Sequence, residues 1–146
     1  MDVEDIKTNC EILRQHVLDV LIASGNGHLG GSMSSVEMIT TLYCSDLFNL
    51  SPECQRRDKV LVRGHVGPLR YPLFAELGWI SRELLSSYRR LGSPLQGHED
   101  MDSVKGVDIT PSGCLGNLLS YGVGAAIAER TLVDLCNERV SNIVVY

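Results

Sequence analysis

The sequence predicts an α/β fold: an incomplete parallel sheet with helices packed against it, as one partial domain over residues 1–146. Three observations carry this. Lys59-Val60-Leu61-Val62 and Asn142-Ile143-Val144-Val145-Tyr146 are short β-branched apolar runs, the pattern of parallel strands buried on both faces. Segments with the three- and four-residue apolar spacing of helices lie before and between them. Glycine-histidine steps then interrupt the chain at helix and strand ends, where α/β folds place their ligand loops.

Residues 4–24 form the first amphipathic pattern, with Ile6, Cys10, Leu13, Val17, Val20, Leu21 and Ser24 on one stripe. Asp2 is its expected N-cap and Gly25 its C-terminal stop, while His16 falls off the stripe as a solvated residue. The loop Gly25-Asn26-Gly27-His28-Leu29-Gly30-Gly31-Ser32 follows. Ser34-Ser35-Val36-Glu37 has the form of a capping box opening a helix over roughly residues 35–48. After the polar connection 49–58 comes the first strand, then Arg63-Gly64-His65-Val66-Gly67-Pro68 at its carboxyl end. Leu69–Leu77 continues helically, with Pro72 either kinking it or sitting in its first turn. Ser81 caps a further helix, Arg82–Leu91, ahead of Gln96-Gly97-His98-Glu99-Asp100. Ser112-Gly113-Cys114-Leu115-Gly116-Asn117 opens a helix to about Leu135 that is rich in Gly and Ala, suited to close packing. The second strand pattern runs to the last residue, which leads us to expect a fragment or a sheet completed by a partner chain.

The formal net charge is −5, with acidic and basic residues mixed and no basic stripe interleaved with aromatics. Nucleic acid is therefore not an expected partner. No apolar run approaches the ~20 residues of a membrane span, and the acidic N-terminus is unlike a targeting peptide. Five cysteines (Cys10, Cys44, Cys54, Cys114, Cys136) at wide spacings, without C-x-x-C, suit a reduced, cytoplasmic protein.

Three separated loops share one local chemistry, at His28, His65 and His98. Their spacings match no short metal-ligand pattern, although ligands can also come from distant loops. No nucleophile elbow, P-loop or complete G-x-G-x-x-G is present. What remains is a set of imidazoles for proton transfer and hydrogen bonding to a hydroxylated substrate near a bound phosphate.

Four stretches together resemble the opening part of the transketolases. They are Gly27-His28-Leu29-Gly30-Gly31-Ser32-Met33-Ser34; Arg63-Gly64-His65 with Pro68 and Tyr71; Leu91 through Met101; and Gly106-Val107-Asp108 followed by Ser112 through Asn117. Order and spacing agree over about residues 5–146. The third stretch separates the chain from deoxyxylulose-phosphate synthases, whose first motif is similar.

The resemblance implies the front part of a thiamine-diphosphate-binding domain. The implied reaction moves a two-carbon ketol unit from a ketose phosphate to an aldose phosphate. By the same resemblance His28 lines the substrate channel, His65 lies near the reactive carbon and the cofactor diphosphate, and His98 contacts the donor sugar's hydroxyls. Arg89 matches a channel arginine, and Gly113, Leu115 and Gly116 match the turn that holds the cofactor. Ligands for Mg2+ or Ca2+ are expected off this chain, because the family's Gly-Asp-Gly motif is not in it. The remaining transketolase domains or a partner subunit would supply them, with a dimer as the complete form. The chain departs from the family pattern at Leu29, Val62-Arg63, Thr110–Gly113 and Leu118. Two readings follow: a fragment or subunit of a transketolase-like enzyme, inactive alone, or a non-catalytic remnant acting as an interaction or regulatory module.

Overall fold

In a computed structural model of the chain, which describes residues 2–54, 56–108, 114–136 and 141–146, helix α1 spans Val3–Ser24. Its caps are those expected. Asp2 accepts from the Asp5 amide at 2.9 Å, and the Asp5 carboxylate accepts from the Asp2 amide in return. Gly25 adopts φ 70°, which lets its amide reach the Leu21 carbonyl; a Cβ would strain that left-handed cap. Cys10, Leu13, Val17 and Val20 form the buried stripe, packed against α3 (Val36–Cys44) and α4 (Gly67–Glu76).

Strand β1 (Lys59–Leu61) pairs in parallel with β2 (Ile143–Val145), Lys59 opposite Ile143 and Leu61 opposite Val145. Asp58 fixes the start of the pair, accepting from the Asn142 amide at 2.7 Å and from its side-chain amide at 2.9 Å. Asp108 accepts from the Val60 amide at 2.8 Å and pairs with Arg57 at 2.7 Å. Helix α5 (Asn117–Cys136) lies on β2, with Leu118 and Gly122 buried and Glu129 paired to Lys59. The expected α/β class, with an incomplete parallel sheet, is what these elements form. Among the described residues no helix is long and apolar enough to cross a membrane.

Four local expectations are corrected. The glycine-rich loop after His28 is not all loop: Leu29–Met33 close into a short helix, α2, with the Ser32 amide reaching the His28 carbonyl. The capping box does not form. Ser34 donates instead to the Gly31 carbonyl at 3.2 Å, as does Ser35 at 2.6 Å, whose oxygen is left to accept from Tyr146 and Arg63, while Glu37 reaches across to Arg14 of α1. Arg82–Leu91 is not an α-helix but a 3-10 segment, Arg82–Ser87. There the Ser86 and Ser87 hydroxyls donate to the carbonyls of Glu83 and Leu84, and such local bonds compete with helix formation. His16 is not freely solvated, for its Nδ1 lies 3.2 Å from the Glu76 carboxylate of α4. Of the two places open to Pro72, it takes the one inside α4; Pro68 occupies the first turn.

Candidate active site

His28, His65 and His98 come from three different elements. His28 is the residue that enters α2, placed there by the left-handed stop at Gly25. His65 lies in a 3-10 turn, Gly64–Val66, directly beyond the carboxyl end of β1. His98 stands in the loop that follows the 3-10 segment 82–87. The three rings converge. His28 is 4.7 Å from His65 and 5.6 Å from His98 between ring centres, and His65 is 5.0 Å from His98. All three are half-buried, and one nitrogen from each lies within 4.8 Å of the others.

The glycines beside the histidines permit this approach. A Cβ on Gly64 would stand 2.8 Å from the His98 ring, closer than carbon atoms pack. A Cβ on Gly31 would stand 3.5 Å from the His65 carbonyl, to which Ser32 Oγ also donates at 3.4 Å. Each loop is thus packed on the next. The His98 loop is held from behind by Tyr71, whose hydroxyl donates to the Gln96 carbonyl at 2.8 Å.

Beneath the cluster lies a buried ion pair that the sequence pattern did not single out. Every residue of α4 from Gly67 to Ala75 is buried, so Arg70 has no route to solvent. It donates to Glu99 at 2.5 Å, to the Tyr43 hydroxyl at 2.8 Å and to the Gly106 carbonyl at 3.2 Å. Glu99 is the residue after His98, so the pair ties that loop to α3 and α4. A charge in a helix otherwise buried all round, and a second charge beside a motif histidine, were the only signals available.

Burial lowers the affinity of His28 for a proton, and the positive charge that His65, His98 and Arg89 carry or can carry lowers it further. His98 is shifted the same way, by burial first and then by His65 and Arg89. Both therefore favour the neutral form, able to accept a proton at one nitrogen and donate at the other. Burial pushes the Glu99 carboxyl up to about 7 against the pull of Arg70.

Of the other residues singled out in the sequence, Arg89 joins this cluster. It lies beyond the 3-10 segment rather than within a helix, at φ 59°, with its amide bonded to the Leu95 carbonyl. Its guanidinium packs over Gly97, where a Cβ would stand 3.1 Å from Cζ. Leu115 and Gly116 lie in the exposed turn that opens α5, and nothing stands within 4 Å of where a Cβ on Gly116 would be. Gly113 lies outside the described residues. Among the described residues the three histidines are the one group of three or more His, Cys, Asp or Glu side chains close enough to share a cation; no carboxylate joins them.

The chain as a whole is similar to known proteins. The family described as transketolase, thiamine diphosphate binding domain, matches residues 6–146. The 6-deoxy-6-sulfo-D-fructose transketolase subunit SqwG of Clostridium sp. (strain MSTE9) is 36% identical over 128 residues, 85% of this chain and 46% of that protein. One of the subunits of the apulose-4-phosphate transketolase of Phocaeicola vulgatus is 31% identical over 134 residues, 89% of this chain and 47% of that one. Among solved structures, transketolase from Leishmania mexicana superposes with a TM-score of 0.85 at 26% identity, over 100% of this chain and 22% of that chain. The chain spans about half the length of the two subunits it matches. It belongs to the transketolase family, whose thiamine diphosphate binding domain its sequence matches from residue 6 to residue 146.

Proposed function

We propose that this chain is the front part of the diphosphate-binding domain of a transketolase-type enzyme that moves a two-carbon ketol unit between sugar phosphates. The observation that carries the reading is the convergence of His28, His65 and His98 from three loops. The residues fit thiamine diphosphate on two counts. Nδ1 of His28 and Nδ1 of His65 are buried with no hydrogen-bond partner, so the site has polar capacity in hand. The backbone at Gly116 is unobstructed, as a turn that approaches a diphosphate requires.

In this reading the backbone of Gly113, Leu115 and Gly116 holds the diphosphate. The cofactor, when bound, supplies carbanion stabilisation for breaking and remaking a carbon–carbon bond. His28 and His65 then exchange protons with the sugar oxygen that gains and loses charge during bond cleavage, and their partly buried position limits competing water. His98 hydrogen-bonds the donor's hydroxyls, held in place by the Arg70–Glu99 pair behind it. Arg89 supplies positive charge at the rim for the sugar's phosphate. The related subunits are named for a sulfo sugar and a sugar phosphate, which supports an anionic sugar as substrate.

A hard divalent ion such as Mg2+ or Ca2+ prefers oxygen ligands, which the histidine cluster lacks. We place its ligands on the remaining domains or a partner subunit, with a dimer as the complete form. The isolated chain is expected to show no ketol transfer with thiamine diphosphate and Mg2+. Mixed with a polypeptide supplying the remaining transketolase domains, it should gain thiamine-dependent turnover that H98A abolishes. Turnover by the chain alone would refute the division of labour; a mixture that binds but never turns over would refute the catalytic reading. The intact cluster, with its free imidazole nitrogens, favours this over a non-catalytic remnant.

A further inference from the structure

We propose that His28, His65 and His98 form a three-imidazole site for a divalent transition-metal ion of the Zn2+ or Co2+ type, with the fourth position open to solvent or an anion. The proposal does not rest on the thiamine reading. It uses the same side chains, so a bound ion and a bound sugar would exclude each other.

Geometry carries it. With Zn–N bonds of about 2.0–2.1 Å, three imidazoles on one tetrahedral ion have ring centres about 3.2 Å from the ion and so roughly 5 Å from one another. The three ring-centre distances here are 4.7, 5.0 and 5.6 Å. The ligand nitrogens, within 4.8 Å of one another, need only turn inward by rotation about side-chain bonds. That rotation breaks no hydrogen bond at Nδ1 of His28 or His65, since neither nitrogen has a partner. The backbone need not move, and the packing of Gly31 on His65 and of Gly64 on His98 already sets the spacing.

Donor type selects the ion. Imidazole suits Zn2+, Co2+, Ni2+ and Cu2+ far better than Mg2+ or Ca2+, and three protein ligands with an open fourth position is the arrangement of reactive rather than structural zinc sites. Arg89 is the charged side chain whose field reaches His28 and His98. It weakens the site for a bare cation and favours an anionic fourth ligand, such as a carboxylate or phosphate.

The test uses the full chain and the metal alone. Of the four histidines, one equivalent of Zn2+ should shift the imidazole proton resonances of three and leave His16 unmoved, while Mg2+ shifts none. Co2+ should produce intense tetrahedral bands without thiolate charge transfer. H28A, H65A and H98A should each bind at least about tenfold more weakly, the scale that even outer-shell changes reach, while H16A binds as the unaltered chain does. Circular dichroism identifies any variant that fails to fold, and the resonance experiment on the unaltered chain stands without them. No shift at stoichiometric Zn2+, a shift confined to His16, thiolate charge transfer from Cys114 or another cysteine, or full affinity in the three variants would each overturn the proposal.

Discussion

His28, His98 and Glu99 set opposing responses of this chain to pH. The two imidazoles are held below their ordinary value of 6.5, so the unfolded chain binds their protons more tightly than the folded one. The stability they contribute is whole above 6.5 and is lost as pH falls through their lowered folded values. Glu99 runs the other way. Its carboxyl is raised from 4.5 to about 7, so its contribution is whole below 4.5 and is lost as pH rises through about 7. Urea midpoints measured across this range should therefore separate the two. The double variant H28N/H98N should become less stable from pH 4.5 to about 7, because of these three groups Glu99 alone still responds. E99Q should instead lose stability on acidification below 6.5 more steeply than the unaltered chain. Identical midpoint profiles for all three proteins would show that these groups do not titrate differently on folding.

The seam between α5 and β2 depends on one small residue. A Cβ at Gly122 would collide with the Val145 Cγ2 methyl, so a larger residue there must turn Val145 aside or lift the helix off the strand. Gly124, two residues on, faces open space. The same class of substitution should therefore have opposite signs at the two positions. G122V should lower stability by about 1–3 kcal/mol, the usual cost of overpacking. G124A should raise it by roughly 0.5–1 kcal/mol, because alanine restricts the unfolded chain and suits a helix interior. Thermal melts of the two variants check this, and a stabilised G122V would mean that α5 does not sit on β2 as described. The glycine-rich and alanine-rich composition announced close packing. Which glycine makes the contact could be read only once the helix was set against the strand.

At the scale of the whole molecule, α5 presents a largely apolar outer face. Leu119, Val123 and Ile127, spaced four apart on one face, are each more than half exposed, at 66%, 53% and 62%. An exposed apolar run of that length favours association over a solvated monomer. Sedimentation of the isolated chain should show concentration-dependent self-association, which L119E/I127E reduces without altering the far-ultraviolet spectrum. A monodisperse unaltered chain would count against it. In the proposed enzyme, the natural cover for this face is the remaining domains or a partner subunit.

Much of this organisation was legible in the residues alone. Asp2 and Gly25 bound the first helix, the β-branched runs around Val60 and Val144 marked a parallel pair, and three glycine-histidine steps marked one site. Those features depend on backbone preference, capping and periodicity, which act over a few residues. Other features needed the fold. The 3-10 form of Arg82–Ser87 reflects local hydroxyl bonds that outweigh a helical pattern, and Leu29–Met33 closes into a short helix where its glycines pointed to a loop. Ser34 abandons its capping role, its hydroxyl turned back to the Gly31 carbonyl, while Gly31, Arg63 and Tyr146 engage Ser35 beside it. The fit of Gly64 to His98, and of Arg70 to Glu99, joins residues remote in sequence. The sequence by itself determined which residues carry the chemistry and which segments are regular. Only the tertiary structure decided their spacing and their charge state, because close approach and burial belong to the packed chain and to no local stretch of it.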